Sequence, residues 1–174
     1  VRLMLSNAVS FSRLKYSCQI WTKLTVKQNK RWTASYNNII RNATSKVSGP
    51  DNHWTEVQVL AEAGKPDAMQ YLRLERLRYA WRMYHNAPPQ LKALVAEARG
   101  GKRTWSSELE ADFIWLNKVG GADIRKLQGD IWEQTWQAIS KTFANAWKGI
   151  IKYAEKHAVL TIQEAARQRQ ERAE

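Results

Sequence analysis

The chain has 174 residues, with 28 Lys or Arg against 16 Asp or Glu for a net charge of +12, nine Trp and a single Cys. Such a length suits one domain or a tight pair of subdomains, and buries roughly two thirds of its unfolded surface without staples. One cysteine excludes an internal disulfide, and no apolar run approaches the roughly twenty residues of a bilayer span. The charge is concentrated: the first fifty residues hold nine Lys or Arg and no acid, and the first carboxylate is Asp51. An unbroken field of one sign repels itself, and a polyanion relieves that strain. A nucleic acid is the expected partner, with an anionic membrane surface or an acidic protein as alternatives. Position 1 is Val rather than Met, so an upstream presequence or a larger polypeptide is expected.

Taken in chain order, the pattern predicts helices and no strand. Residues 1–21 have the basic, acid-free composition of a transit peptide. Yet Leu5, Val9 and Tyr16 share one helical face and Leu14, Cys18 and Trp21 an adjoining one, so they read as structure. Thr25 with Gln28 forms a capping box opening a helix with Trp32, Tyr36, Ile39, Ile40 and Ala43 inward. Residues 49–52, Gly-Pro-Asp-Asn, are a turn. A second box, Thr55 with Gln58, starts a short helix that should stop at Gly64, with Trp54 and Val59 placed for a hydrophobic staple. Asp67 should cap a helix reaching about His85, and a further short helix spans 90–99. A box at Ser107 and Glu110 opens a helix ending at Gly120-Gly121. From Asp130 a single long helix is expected, its core stripe running Trp132, Trp136, Ile139, Phe143, Trp147, Ile150, Ile151 and Ala154. Residues 163–174 lose their apolar side chains and should form an exposed helical extension. The fold class is therefore all-α, an irregular bundle of six to seven helices with a long C-terminal helix.

No constellation for catalysis is present in the sequence. Glu108, Glu110 and Asp112 are spread around a helix by their spacing of two and read as acids favouring the helix N-terminus. His53, His85 and His157 lack metal-ligand spacing, Cys18 has no near partner, and the glycine pairs lack the rest of a phosphate loop. No enzyme, metal or cofactor is expected. Basic residues interleaved with Tyr16, Trp21, Trp32 and Tyr36 fit phosphate contact with base stacking, although most tryptophans of a helical protein are core. Arg73, Arg76, Arg78 and Arg82 share one helix with only Glu75 nearby, and guanidinium forks suit phosphate. Lys141, Lys148, Lys152 and Lys156 form a stripe read as a solvated face.

The stretch Tyr16-Ser17-Cys18-Gln19-Ile20-Trp21 with Leu24-Thr25 resembles the element just after the palm in reverse transcriptases of non-LTR, LINE-type retrotransposons. The order continues through a basic helix with Arg31 and Arg41, then residues 55–60, Ala63-Gly64, Pro66, and an arginine helix with Leu74, Leu77, Arg78 and Arg82. The likeness spans residues 3–95. It departs from the family at Ser17 for Gly and Gln19 for Glu, and Lys23 stands as an insertion. The resemblance implies a duplex-gripping thumb for residues 1–97, without fingers or palm; residues 98–174 carry no resemblance and read from their own pattern as a tryptophan-rich helical extension. The expected contacts are Arg13, Lys15, Lys23, Lys27, Lys30, Arg31, Arg41, Lys46, Arg73, Arg76, Arg78 and Arg82. The expected role is that of a non-catalytic RNA-binding structural protein among neighbouring proteins of a large ribonucleoprotein, such as a mitochondrial ribosome, with the nucleus as the alternative location. The C-terminal part of an active reverse transcriptase and a helical protein–protein scaffold are the competing readings.

Overall fold

A computed structural model describes residues 18–44, 54–98, 101–119 and 131–172. Among these residues the chain is all-α: a 3-10 turn at Cys18–Ile20, then α1 (Val26–Thr44), α2 (Glu56–Ala63), α3 (Ala68–Asn86), α4 (Pro89–Glu97), α5 (Trp105–Val119), α6 (Ile131–Lys141) and the long C-terminal α7 (Ala144–Glu171). Of the helical run expected over residues 2–21, residues 2–17 lie outside the described residues, as do the turn at 49–52, Gly120, Gly121 and Asp130; its described end is the 3-10 turn at Cys18–Ile20 and not α-helix. By contact the chain forms two compact units, one holding Leu24–Tyr71 with the end of α7 from Lys156, the other holding Leu72–Glu155 with residues 18–23.

In the first unit local chemistry sets the helix ends. The Thr25 hydroxyl accepts from Gln28 N while the Gln28 side chain accepts from Thr25 N at 2.9 Å. The same reciprocal pair at Thr55 and Gln58 starts α2. Gly64, at φ 59° and ψ 44°, ends α2 in the left-handed region, where a side chain is disfavoured, and sends its N–H to the Ala61 carbonyl. Asp67 Oδ1 accepts from Met69 N and Gln70 N at 2.8 Å each, capping α3. Tyr36 and Ile40 of α1 are fully buried with Val59 and Leu60 of α2. The rings of Trp32, Tyr36 and Tyr71 gather with centroids 5.2–6.3 Å apart. Two of their polar tips are satisfied by backbone: Trp32 Nε1 donates to Ala68 O at 2.9 Å and Tyr36 OH to Pro66 O at 2.8 Å.

The second unit is built around Leu74, Leu77 and Ala80 of α3, Leu109, Phe113 and Leu116 of α5, Trp132 and Ile139 of α6, and Trp147, Ile151 and Ala154 of α7. Each fully buried Leu, Ile or Phe stabilises by about 1.5–3 kcal/mol. Phe113, Trp132 and Trp136 meet edge-on or tilted at 5.3–5.7 Å. This unit departs from the expected pattern twice. The cap of α5 is Thr104, whose hydroxyl accepts from Ser107 N at 3.1 Å, and Ser107 instead turns its own hydroxyl to the Thr104 carbonyl. The single long helix expected from 130 is broken at Thr142 and Phe143. Trp81 Nε1 of α3 donates to the Thr142 carbonyl at 3.0 Å, and the His85 ring Nε2 lies 3.1 Å from the Ile139 carbonyl. Acceptors that would continue α6 are engaged by side chains of another helix, and the chain restarts as α7 with Trp147 N bonded to Phe143 O.

Candidate nucleic-acid interface

Arginines of α3 divide into two groups by partner. Arg76 is 4% exposed and grips Asp112 of α5 through both carboxylate oxygens, Nε to Oδ2 at 2.6 Å and Nη2 to Oδ1 at 2.9 Å. Arg73 Nε adds a bond to Oδ1 at 3.1 Å, and its guanidinium lies 5.3 Å from the Trp115 ring. Asp112 sits at the eighth position of α5, so it serves this buried cluster and not the helix N-terminus, contrary to the dipole role expected of it. Burial lifts the Asp112 carboxyl from its ordinary 3.8 to about 6, against the downward pull of the Arg76 hydrogen bond and charge and of the Arg73 charge. Arg76 therefore offers no fork to a phosphate.

The remaining arginines line a groove. Arg78, Trp81, Arg82 and Asn86 of α3 face Ala144, Trp147, Lys148, Ile151, Lys152 and Glu155 of α7 across a cavity of about 680 Å³. The chain directions are opposed: Leu77 meets Trp147 through a 3.1 Å bond from the indole, Arg78 meets Glu155, and Trp81 meets Thr142 just before α7. Spacing of four places Arg78 and Arg82 on one side and Lys148 and Lys152 on the other. Arg78 is held by Glu75 at 2.6 Å and Glu155 at 2.7 Å. Arg82, Lys148 and Lys152 are exposed and have no ion pair or hydrogen bond among the described residues. Trp147, 2% exposed, forms a buried floor. Four cations against one lining carboxylate make the groove basic. From sequence alone Lys148 and Lys152 form a solvated face; their signal is the i,i+4 spacing, and only the facing α3 turns it into a groove.

In the first unit Lys27, Lys30 and Arg31 are exposed on the opening turns of α1, which carries no acid in its first turn. Lys27 there opposes the positive end of the helix dipole, an arrangement that costs a few tenths of a kcal/mol to about 1 kcal/mol unless an anion is present. Arg41, near the C-terminus of α1, donates to the Trp54 carbonyl at 3.1 Å and joins α1 to the segment entering α2. Lys23, which belongs to the second unit, is exposed. Arg13, Lys15 and Lys46 lie outside the described residues.

No cluster of three or more His, Cys, Asp or Glu able to hold a metal occurs among the described residues, and no described helix is long and apolar enough to cross a membrane. Fold and site together define an all-α protein with a basic groove between antiparallel helices. Comparison with protein-family models, curated proteins and solved structures finds no match.

Proposed function

We propose that this chain is a non-catalytic RNA-binding structural protein, holding structured RNA by its phosphate backbone within a large ribonucleoprotein. The observation that carries this reading is the groove whose exposed Arg82, Lys148 and Lys152 have no acidic partner among the described residues, while Arg73, Arg76 and Arg78 of α3 are each paired with a carboxylate. Cations converging on a cleft gain affinity by releasing the counterions of a polyanion, and this needs no base-specific contact. The exposed Lys27, Lys30 and Arg31 of α1 supply a second basic surface. Binding of a structured RNA measured by fluorescence anisotropy over a salt series tests the proposal. Log affinity should fall with log salt by about 0.7–0.9 per phosphate contact. No affinity at low salt would overturn it. A second reading, a thumb region of a larger reverse transcriptase, is favoured by the Tyr16-to-Thr25 element; it predicts that a template–primer hybrid outcompetes structured single-chain RNA.

A further inference from the structure

Phe143 is 87% exposed, and between Ile114 and Tyr153 it is the sole large hydrophobic side chain so exposed among the described residues. Its carbonyl accepts the first hydrogen bond of α7, from Trp147 N at 3.0 Å, which makes it the N-cap residue of that helix. Phenylalanine is a poor choice there, since it caps no N–H where Ser, Thr, Asp or Asn would, and its ring is left in water. The position is disfavoured twice by folding, and burial does not compensate a ring so exposed.

The backbone around it is hydrogen-bonded on both sides. Thr142, on one side, has its carbonyl bonded by Trp81 of the groove, and Ala144, on the other, lines the groove itself. Phe143 thus adjoins a groove-lining residue in the chain, and its ring has only two side-chain torsions to order on contact. Lys141 precedes it by two residues and the groove residue Lys148 follows by five, both exposed. An exposed aromatic next in the chain to a basic groove suits a nucleobase, whose face stacks on a ring while its phosphates meet the cations.

We propose that Phe143 is a base-stacking residue, covering an unpaired nucleotide that leaves the backbone held between α3 and α7. This rests on the RNA-binding reading above. The test uses a short RNA duplex, blunt or with a single-nucleotide 2-aminopurine overhang, and the protein with Phe143 intact, Phe143→Ser or Phe143→Trp. The unsubstituted protein should prefer the overhang over the blunt duplex by about 5- to 150-fold, the range expected of one stacked base, and should quench the 2-aminopurine. Phe143→Ser should abolish both preference and quenching while binding blunt duplex as before, and Phe143→Trp should keep both. Thermal melting by circular dichroism should show Phe143→Ser at least as stable, because serine caps α7. An overhang preference and quenching that survive in Phe143→Ser would overturn the assignment. Equal binding of both duplexes by the unsubstituted protein would also overturn it, yet leave the phosphate-binding reading standing, whereas binding of neither would remove that reading itself.

Discussion

Replacing Arg76 by Met removes the cation from a carboxylate that is 1% exposed. Asp112 would keep Arg73, a single bond at 3.1 Å from a side chain 32% exposed, and would lose the two bonds at 2.6 and 2.9 Å. Breaking a buried pair by removing one partner costs about 3–5 kcal/mol, since it leaves an uncompensated charge. For a chain of this size that lowers Tm by roughly 6–20 °C. The loss should depend on pH in a stated direction. Asp112 is already lifted to about 6 by burial with Arg76 present, and without Arg76 it rises further. At pH 8 the full cost is felt, whereas at pH 5 the carboxyl takes a proton and the cost should shrink to about half, at about 1.4 kcal/mol per pH unit titrated. Urea denaturation followed by tryptophan fluorescence at the two pH values measures this, read from midpoints at constant m-value. The double variant Arg76→Met with Asp112→Leu should recover stability at pH 8 to within about 1 kcal/mol, because well-packed apolar groups replace a buried pair with little loss. Equal losses at both pH values, or a double variant as weak as the single one, would refute the reasoning.

In the unsubstituted protein, Asp112 has a folded value above its unfolded one, so its contribution to stability is fully present below pH 3.8 and is lost as pH rises through about 6. It amounts to about 3 kcal/mol, and Asp112→Asn should flatten that part of the stability–pH profile. Thr55→Ala removes the hydroxyl arm of the capping box of α2 and should cost about 1 kcal/mol in denaturant titration. Reversing Lys27, Lys30 and Arg31 to Glu should weaken RNA binding and reduce its salt dependence. The same change should leave folding stability unchanged or raise it by a few tenths of a kcal/mol, since a carboxylate at position 27 would suit the helix N-terminus; unaltered binding would remove α1 from the contact surface.

Features written in short-range chemistry were legible in the sequence. The boxes at Thr25 and Thr55, the Asp67 cap and the Gly64 stop each involve residues two to four apart, and the inward positions Trp32, Tyr36, Ile40, Leu74 and Leu77 follow from helical period alone. What escaped depends on partners far along the chain. Arg76 and Asp112 are 36 residues apart, so four arginines on α3 looked equally free when two were committed to α5. The break between α6 and α7 is set by Trp81 and His85, 61 and 54 residues from the carbonyls they reach, against a local pattern that favours an unbroken helix. The Phe143 ring, placed on the core stripe by period, is turned into solvent by that break. The groove eluded the same reasoning, since Lys148 and Lys152 carry no local sign of facing arginines on α3.

In the proposed function the α3–α7 groove holds phosphates through Arg82, Lys148 and Lys152. Its most direct test is the salt dependence of RNA affinity for the protein with all three changed to Gln, against the unsubstituted protein. Loss of three phosphate contacts should make the log–log slope shallower by about 2–3 and weaken binding at low salt, with thermal stability unchanged because all three side chains are exposed. A slope that stays the same in the triple variant would contradict the account.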